Sequence, residues 1–366
     1  FTSVPDANFE AYLEANGMGD DVDNNQLVLT ENIINVPSLE LFSLSILDLT
    51  GIENFVSLQV LEAGYNDLTE LDLSNNTELM ELECYNNYYL AELNLSNNTK
   101  LTYLDVDDNS LTELDLSNNT ELTYFDLSYN NLTELILPDS IPELEGIRLN
   151  NNNLTELYLE NSPVLSYVYC NDNNLTELDL GNGPELGSLY CYNNNLTELD
   201  VSGYPNLSTL FCYANNLTEL NVSSNTELNT VYCDYNNLST IDLSNSPELL
   251  YLSAAGMDMC IKVADIDYAI ERQEECTTYN SSLSLTTACY YVTANSIFSL
   301  DCGEYIYGCT DENACNYIAG VDFDFDDGSC LYPPFGSDDC DSDCDSDGNG
   351  VCDDAEFTSV PDANFE

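Results

Sequence analysis

The sequence LTELDLSNNTEL, at Leu111–Leu122, is the most regular copy of a pattern that recurs with small changes between Leu68 and Leu243. Each copy runs into a second phrase of the form LxxLxLxxNxL, such as LTYFDLSYNNL at Leu122–Leu132. A fixed period of this length predicts a solenoid, because one unit cannot bury its apolar face without stacking on copies of itself. The second phrase begins, at steps of 21 or 22 residues, at Leu58, Leu79, Leu101, Leu122, Leu144, Leu165, Leu186, Leu207, Leu228 and Leu249.

The phrase LxxLxLxxNxL resembles the leucine-rich repeat over more than half of the chain, and ILDLTGIENF resembles internalin-type units. We therefore expect a β-rich solenoid of 21–22-residue coils over residues 46–257. Side chains alternate along a strand, so the leucines should point inward and the residues between them outward. LTELDLS alternates in the same way, so each coil should hold two extended segments. By resemblance, the repeated asparagine implies a ladder bonded to the backbone of adjacent coils: Asn66, Asn87, Asn109, Asn130, Asn152, Asn173, Asn194, Asn215 and Asn236.

The composition excludes several functions. Among 366 residues there are 4 basic and 67 acidic side chains, a net charge of −63, and no histidine. Binding to nucleic acid or to an anionic membrane needs lysine and arginine, so both partners are excluded. The missing histidine removes the commonest general base, so an enzyme is not expected. The one enzymatic alternative is hydrolysis of a polysaccharide by a pair of acidic residues. No apolar run is long enough for membrane insertion. The acidic surface needs screening by salt or bound cations, which suggests a saline, calcium-containing setting.

The two ends of the chain carry the same ten residues. FTSVPDANFE occupies residues 1–10 and returns at 357–366. We interpret this as one 356-residue unit of a tandem array followed by the start of the next; the alternative is an artificial second copy. Residues 1–45 are expected to form an N-terminal cap, with a helix within Val4–Asn16 that is capped by Asp6 and stopped by Gly17. VPDANFEAYLE resembles the start of secreted bacterial leucine-rich-repeat proteins.

Residues after the helix offer a weak calcium site. Asp21, Asp23 and Asn25 alternate like the first three ligands of a calcium loop, but Gln26 replaces the usual glycine and Asn32 the usual glutamate. A polar turn before a strand explains the same residues. Both interpretations stay open here.

The outward positions of the second phrase carry an aromatic strip. We predict a binding surface there, because tyrosine is a typical anchor at interfaces and a strip of this length exceeds what a monomer usually exposes. The alternative is cross-strand stacking that stiffens the sheet. The expected partners are another copy of the array, or a surface glycan or protein. The strip consists of Tyr103, Tyr124, Tyr167, Tyr169, Tyr190, Tyr192, Phe211, Tyr213, Tyr232 and Tyr251.

The opposite segment of each coil exposes carboxylates, which are expected to be a solvated face. The repeat cysteines occupy an inward position and are expected to be buried free thiols that act as small apolar residues. They are Cys84, Cys170, Cys191, Cys212 and Cys233. The recurrent NLT and NNT triplets match the glycosylation pattern, but they also follow from the repeat itself.

After Met257 the leucine period stops, and the cysteines change role. Residues 258–302 are expected to form a disulfide-bonded C-terminal cap. Its four cysteines allow three connectivities, of which we expect the nested pairs Cys260–Cys302 and Cys276–Cys289. Residues 303–335, with GCTD, ACNY and DDGSC, resemble a small cysteine-rich module of large secreted proteins of marine Bacteroidota. Three further bridges are expected among Cys309, Cys315, Cys330, Cys340, Cys344 and Cys352.

Residues 336–356 form an acidic stretch, SDDCDSDCDSDGNGVCDDAE. It resembles the calcium loops of thrombospondin type 3 repeats and dockerins, although Gly350 stands where a hydrophobic residue is usual and aspartate ends the loop. A disordered acidic linker is the alternative. Together these features predict a secreted, extracellular structural and adhesive protein, one unit of a self-associating fibre stiffened by calcium and disulfides; the alternative is an adhesin that binds through the tyrosine strip. The resemblance implies Ca²⁺ ligation by Asp343, Asp345, Asp347, Asn349 and Asp354.

Overall fold

The structure, a computed structural model, describes part of the chain in full and a few strands by their backbone alone. Residues 1–22, 24–159, 161–181, 183–257 and 259–264 are described, together with the backbone of the strands at Cys289–Val292, Ile297–Ser299, Tyr307–Gly308 and Phe325–Asp326. The chain divides into two compact units, Phe1–Leu300 and Asp301–Glu366. Within the second unit, Tyr307–Gly308 and Phe325–Asp326 pair in parallel.

A helical cap covers the first coil. The helix α1 runs over Ala7–Ala15, and the Asp6 carboxylate accepts hydrogen bonds from the backbone N–H groups of Asn8 and Phe9. Phe9 and Leu13 are fully buried, and the Phe9 ring lies 6.2 Å from that of Phe55 in the first coil. These contacts confirm the predicted capping helix and its N-cap. Short elements complete the region: strands at Thr2–Ser3 and Leu27–Val28, paired antiparallel, and a helix α2 at Thr30–Ile33.

One side of the solenoid is a parallel sheet of twelve strands, called here the main sheet. Its inward residues, such as Leu104 and Leu189, are fully buried, while alternate residues point outward. The sheet begins at Ser38, inside the segment assigned to the N-terminal cap, and ends inside the segment assigned to the C-terminal cap. The strands are Ser38–Glu40, Val60–Glu62, Glu81–Glu83, Tyr103–Asp105, Tyr124–Asp126, Gly146–Arg148, Tyr167–Tyr169, Ser188–Tyr190, Thr209–Phe211, Thr230–Tyr232, Tyr251–Ala254 and Cys289–Val292. This parallel β-solenoid is the leucine-rich-repeat architecture that the period predicts.

The second side of the solenoid is extended but only partly assembled into sheets. The expected second strand of each coil pairs with its neighbour in three short stacks, and a single bridge joins Asp200 to Asn221. In the described residues no strand pairing joins the second-side segments at Glu70, Glu92 and Glu113 to one another, and none joins those at Glu134 and Glu156. A short 3-10 helix at Ile52–Asn54 occupies this side of the first coil. The paired strands are Glu113–Asp115 with Glu134–Ile136, Glu156–Tyr158 with Glu177–Asp179, and Thr240–Asp242 with Cys260–Lys262 and Ile297–Ser299.

Two rows of asparagine bond the coils to each other. In the predicted ladder, Asn194 is typical: its Nδ2 donates to the carbonyls of Cys170 and Cys191, both at 3.0 Å, and its Oδ1 accepts from Leu175 N–H at 2.9 Å. These bonds satisfy backbone groups where each main-sheet strand ends, so the ladder is confirmed. A second row on the other side was missed in the sequence. Its members are fully buried and donate to carbonyls of the preceding coil, while their Oδ1 atoms have no hydrogen-bond partner: Asn76, Asn98, Asn119 and Asn225.

The five repeat cysteines are free and fully buried, as predicted. Burial raises the pKa of the Cys170 thiol to about 12 and moves that of Cys191 in the same direction. Each thiol therefore stays protonated and unreactive, and it packs as a small apolar side chain.

Candidate interaction surface

The middle outward position of the main-sheet strands forms one continuous line, which we call the central file. Strand pairing puts each member directly beside the next, at a spacing of about 4.8 Å. Along the file, five carboxylates come first, then a single arginine, then four aromatic rings and a serine. The members, in spatial order, are Glu40, Glu62, Glu83, Asp105, Asp126, Arg148, Tyr169, Tyr190, Phe211, Tyr232 and Ser253.

The aromatic part of the central file is a ladder of rings in direct contact. Centroid distances are 4.4 Å from Tyr169 to Tyr190, 4.6 Å from Tyr190 to Phe211 and 4.5 Å from Phe211 to Tyr232. The last pair is parallel within 3°, whereas the other two are edge-to-face. Ring pairs of this kind contribute roughly 0.5–1.5 kcal/mol each beyond the area they bury. All four rings are half-buried, since each covers part of the next.

Further aromatic residues flank the ladder. Tyr192 and Tyr213 stack at 4.3 Å and 8°, and Tyr167 lies 5.7 Å from Tyr169. Tyr167 also lies over Gly146 of the preceding strand: a Cβ added there would come within 2.1 Å of the ring, so only glycine leaves room for it. We call the seven rings the aromatic patch: Tyr167, Tyr169, Tyr190, Tyr192, Phe211, Tyr213 and Tyr232.

Of the ten residues of the predicted strip, the structure thus brings five into one ladder of rings, from Tyr167 to Tyr232, and stacks Tyr192 on Tyr213. Tyr103 and Tyr124 form a pair of their own at 5.1 Å, with Gly146 between them and the patch. Tyr251 lies beside Thr230, in a neighbouring file. The rings of the ladder are half-buried and in contact, as the stacking interpretation expects, and the binding interpretation stays a prediction.

The carboxylates of the central file repel each other. Burial, followed by the charges of Glu62 and Asp105, raises the pKa of Glu83. Burial and the charge of Asp126 raise that of Asp105. Asp107, beside the file, has its pKa raised to about 7 by burial and by the Asp105 charge. With a pKa of about 7, the Asp107 carboxyl is partly protonated at neutral pH.

Arg148 marks the point where the file changes from acidic to aromatic. Its guanidinium lies 3.6 Å from the Asp126 carboxylate on one side and 5.4 Å from the centre of the Tyr169 ring on the other. Arg148 is exposed, whereas Asp126 is buried and also accepts a hydrogen bond from the Tyr124 hydroxyl at 3.2 Å. An arginine in this position stabilises both halves, through an ion pair and a cation–π contact. Alternation along the strands predicts the aromatic residues of this surface but not the arginine. The signal for Arg148 in the sequence is the scarcity of basic residues, 4 in the whole chain.

Several exposed aromatic residues lie outside the predicted strip because they precede the ladder asparagine, at the turn. Tyr65, Tyr129 and Tyr235 are 52%, 53% and 66% exposed and have φ of 54°, 51° and 51°. Positive φ is uncommon for a bulky residue, and here the turn imposes it in coil after coil. Phe42 lies 5.3 Å from Tyr65, so the first coils carry a second, smaller aromatic cluster at this edge.

The second side presents a row of exposed glutamates at one position of successive coils, as the sequence predicted. Two aspartates beside it, Asp72 and Asp115, have lowered pKa values because the hydroxyl and N–H of the serine two residues on bond to the carboxylate. These carboxylates stabilise the turn by accepting the hydrogen bonds from the serine. The glutamates are Glu70, Glu92, Glu113, Glu134, Glu156, Glu177, Glu198 and Glu219.

The predicted calcium residues are only partly within the described residues. Asp21 donates its backbone N–H to Glu14, and Asn25 bonds to the carboxylate of Asp20 rather than to Asp21. In the described residues no group of three or more acidic or cysteine side chains is arranged to hold a metal ion. Asp23, Asp343, Asp345, Asp347, Asn349 and Asp354 lie outside the described residues.

Of the predicted disulfide cysteines, Cys260 is buried and disulfide-bonded. Cys289 begins a strand whose backbone alone is described. The nested pairing stays a prediction. The remaining cysteines lie outside the described residues: Cys276, Cys302, Cys309, Cys315, Cys330, Cys340, Cys344 and Cys352.

No family model and no curated protein sequence matches the chain. Among solved structures, the functional domain of InlJ from Listeria monocytogenes, which includes a cysteine ladder, is similar with a TM-score of 0.59 and 28% identity, over 81% of this chain and 70% of that one. YopM from Yersinia pestis, a leucine-rich effector protein, is similar with a TM-score of 0.50 and 27% identity, over 71% of this chain and 66% of that one. The leucine-rich-repeat domain of APL1B shares the fold at 19% identity and a TM-score of 0.52, over 79% of this chain and 87% of that one.

The similar structures are leucine-rich-repeat proteins, two of them bacterial, and the solenoid fits that class. The cysteine ladder named for InlJ has a parallel in the buried file at Cys170, Cys191, Cys212 and Cys233. No helix in the described residues is long and apolar enough to cross a membrane.

Proposed function

We propose that this chain is a recognition module that binds a protein partner through the outer face of the main sheet. The observation that carries the proposal is the aromatic patch: five rings in a continuous ladder from Tyr167 to Tyr232, and the stacked pair Tyr192 and Tyr213 on the same face, all half-buried. Aromatic rings are the residues most often responsible for binding energy at interfaces. The similarity to a functional domain and to an effector, both leucine-rich-repeat proteins, supports the same class of function.

The orientation of the rings favours a protein over a glycan. Sugars pack on the open faces of aromatic rings. Here Phe211 and Tyr232 are parallel at 4.5 Å, and Tyr192 and Tyr213 at 4.3 Å. In each pair the facing sides of the two rings contact each other, so those faces are not open to a sugar. What the surface offers is ring edges and tyrosine hydroxyls, which suit the mixed apolar and hydrogen-bonding contacts of a polypeptide.

Selection from a random peptide display library tests the proposal. We expect enriched peptides whose binding is lost when Tyr190 and Tyr213 are replaced by serine. A matched control replaces Tyr158 and Glu156 on the second side by serine and glutamine; Tyr158 is 44% exposed there. Binding that survives the first double substitution, or an absence of enriched peptides, would contradict the proposed function.

A second candidate is a structural role as one unit of a tandem fibre. The decapeptide at residues 1–10 serves as a cap: it holds the strand at Thr2–Ser3, the Asp6 cap and buried Phe9. Its second copy, at 357–366, has the same residues and would start an equivalent cap for a following array. Negative-stain images of the native material test this: regularly spaced solenoids along one thread support it, and isolated single units contradict it.

Calcium and disulfides belong to the structural proposal as its joint. We propose Ca²⁺ ligation within residues 336–356 and an extracellular, secreted location; the Cys260 disulfide supports an oxidising compartment. Scanning calorimetry with calcium and with chelator measures the effect. A chelator that leaves every transition temperature unchanged rules calcium out.

A further inference from the structure

The surface proposed for recognition has two chemically different halves on a single line. From Glu40 to Asp126 the central file holds five carboxylates over four strand steps, about 19 Å. From Tyr169 to Tyr232 it holds four rings over three steps, about 14 Å. A partner that covers the aromatic half and continues along the sheet therefore meets negative charge on one side only.

Neutralisation of the acidic half has to come mainly from outside the described chain. Among the described basic residues, Lys100 pairs with Glu78 at 2.6 Å and Lys262 with Asp242 on the second side at 2.9 Å. Arg148 is the one described cation in the central file, and within the described file its ion pair is with the last carboxylate, Asp126. The remaining four acids face one another at the spacing of the strands, which is unfavourable unless a cationic group lies over them.

We propose that the partner is a polypeptide segment that lies along the central file, with lysine or arginine residues over the acidic half and apolar or aromatic residues over the aromatic half. Arg148 fixes the boundary, because it repels the basic part of the segment and stacks beside its apolar part. An extended chain advances about 3.3 Å per residue, so the two halves take roughly six and roughly four residues. This inference rests on the proposed function and specifies the partner's chemistry.

The charge pattern also predicts an orientation. A segment laid in the reverse direction would place its cations at the aromatic half and its apolar residues over carboxylates. The carboxylates of the acidic half would then be desolvated with no cation of the segment to neutralise them, and this cost disfavours the reversed arrangement. The order of basic and apolar residues in the segment therefore matters as well as their number.

Synthetic peptides test this with matched controls. The probes are two fluorescein-labelled peptides of about twelve residues and identical composition: one with a lysine block followed by a leucine and phenylalanine block, the other with the same residues alternating. Fluorescence anisotropy at physiological salt measures the dissociation constant for each. We expect the block peptide to bind at least tenfold more tightly than the alternating one.

Two triple variants separate local contact from general attraction to an acidic protein. Glu62→Gln, Glu83→Gln and Asp105→Asn remove three charges from the central file; a control variant removes three from the second side at the positions given below. Both variants lose the same net charge. We expect the first variant to raise the dissociation constant of the block peptide at least tenfold and the second variant to raise it less than twofold. Urea unfolding midpoints confirm that both variants fold. The control substitutions are Glu156→Gln, Glu177→Gln and Glu198→Gln.

The outcomes distinguish this inference from the function on which it rests. Equal weakening in both triple variants, or equal binding of the two peptides, overturns the basic-partner inference. If library peptides still depend on Tyr190 and Tyr213 but are neutral or acidic, recognition stands and the basic partner falls. If no peptide depends on the aromatic patch, both fall. A response to calcium ions alone, measured by competition against the block peptide, would identify the acidic half as a cation surface instead and would also overturn the inference.

Discussion

Replacing Asn194 by alanine should destabilise the solenoid strongly, and the structure gives the size of the effect. Asn194 accepts the N–H of Leu175 at 2.9 Å and donates to the carbonyls of Cys170 and Cys191, both at 3.0 Å. Both carbonyls keep a second asparagine donor, from Asn173 at 3.2 Å and from Asn215 at 3.0 Å. The Leu175 N–H keeps none, and a buried N–H without a partner costs about 1–3 kcal/mol.

Adding the two weakened carbonyl bonds, at about 0.5–1 kcal/mol each, gives an expected loss of about 2–5 kcal/mol in the free energy of unfolding. Asn225 provides the matched control. It is fully buried, and its Nδ2 donates to the carbonyls of Val201 and Tyr204, both at 2.8 Å, but its Oδ1 accepts nothing. Asn225→Ala therefore leaves no N–H without a partner, and about 1–2 kcal/mol is expected.

Equilibrium urea unfolding followed by circular dichroism measures both variants. The comparison needs equal m values, because a repeat array can lose its cooperative transition when one coil is weakened. A loss in Asn225→Ala as large as that in Asn194→Ala would refute the reasoning. It would show that cavity formation, rather than the Leu175 N–H left without a partner, determines the loss in the free energy of unfolding.

Phe211→Ala should lower the free energy of unfolding by about 2–4 kcal/mol, because the Phe211 ring contacts Tyr190 at 4.6 Å and Tyr232 at 4.5 Å. Urea unfolding measures this loss. A change below about 1 kcal/mol would mean that the rings of the ladder do not stabilise one another. The raised pKa of Asp107, to about 7, means that the folded state holds this proton longer than the unfolded state, so stability falls as the pH rises from about 4 to about 7. Asp107→Asn should flatten the dependence of the melting temperature on pH in that window, and an unchanged slope argues against it. Iodoacetamide should leave Cys170 and its four counterparts unmodified in the folded protein and modify them in urea, as read by mass spectrometry; labelling under native conditions would contradict their burial.

The stacking register and the ring contacts explain why the aromatic strip was found in the sequence but its division was not. Alternation along a strand places Tyr190 and Tyr232 outward from the sequence alone. Whether two outward residues of different coils touch depends on which positions the coils align. Tyr103 and Tyr124 meet only each other because Gly146, one coil further, has no side chain to continue the row. The ring of Tyr167 then fills that space, which no pattern of letters indicates.

The burial of the second asparagine row is also a feature that the sequence pattern does not indicate. The SNNT phrase at Ser117–Thr120 reads as a polar turn, and polar turns are usually exposed. Asn119 is nevertheless fully buried, since its amide donates to carbonyls of the preceding coil at 3.2 and 2.9 Å. A turn that stacks on identical turns can bury its polar groups, because each copy supplies the acceptors of the next.

The sequence by itself determined the period, the inward leucines, the ladder asparagines, the buried thiols and the capping helix, because each depends on residues close together in the chain and on the alternation of side chains. The tertiary structure decided which distant residues share a line. Glu40 and Tyr232 belong to one surface only because every coil pairs with the next in a fixed register. The two-part surface at Arg148 exists for the same reason: each coil contributes a single outward residue to it, and only stacking turns those residues into an acidic half and an aromatic half.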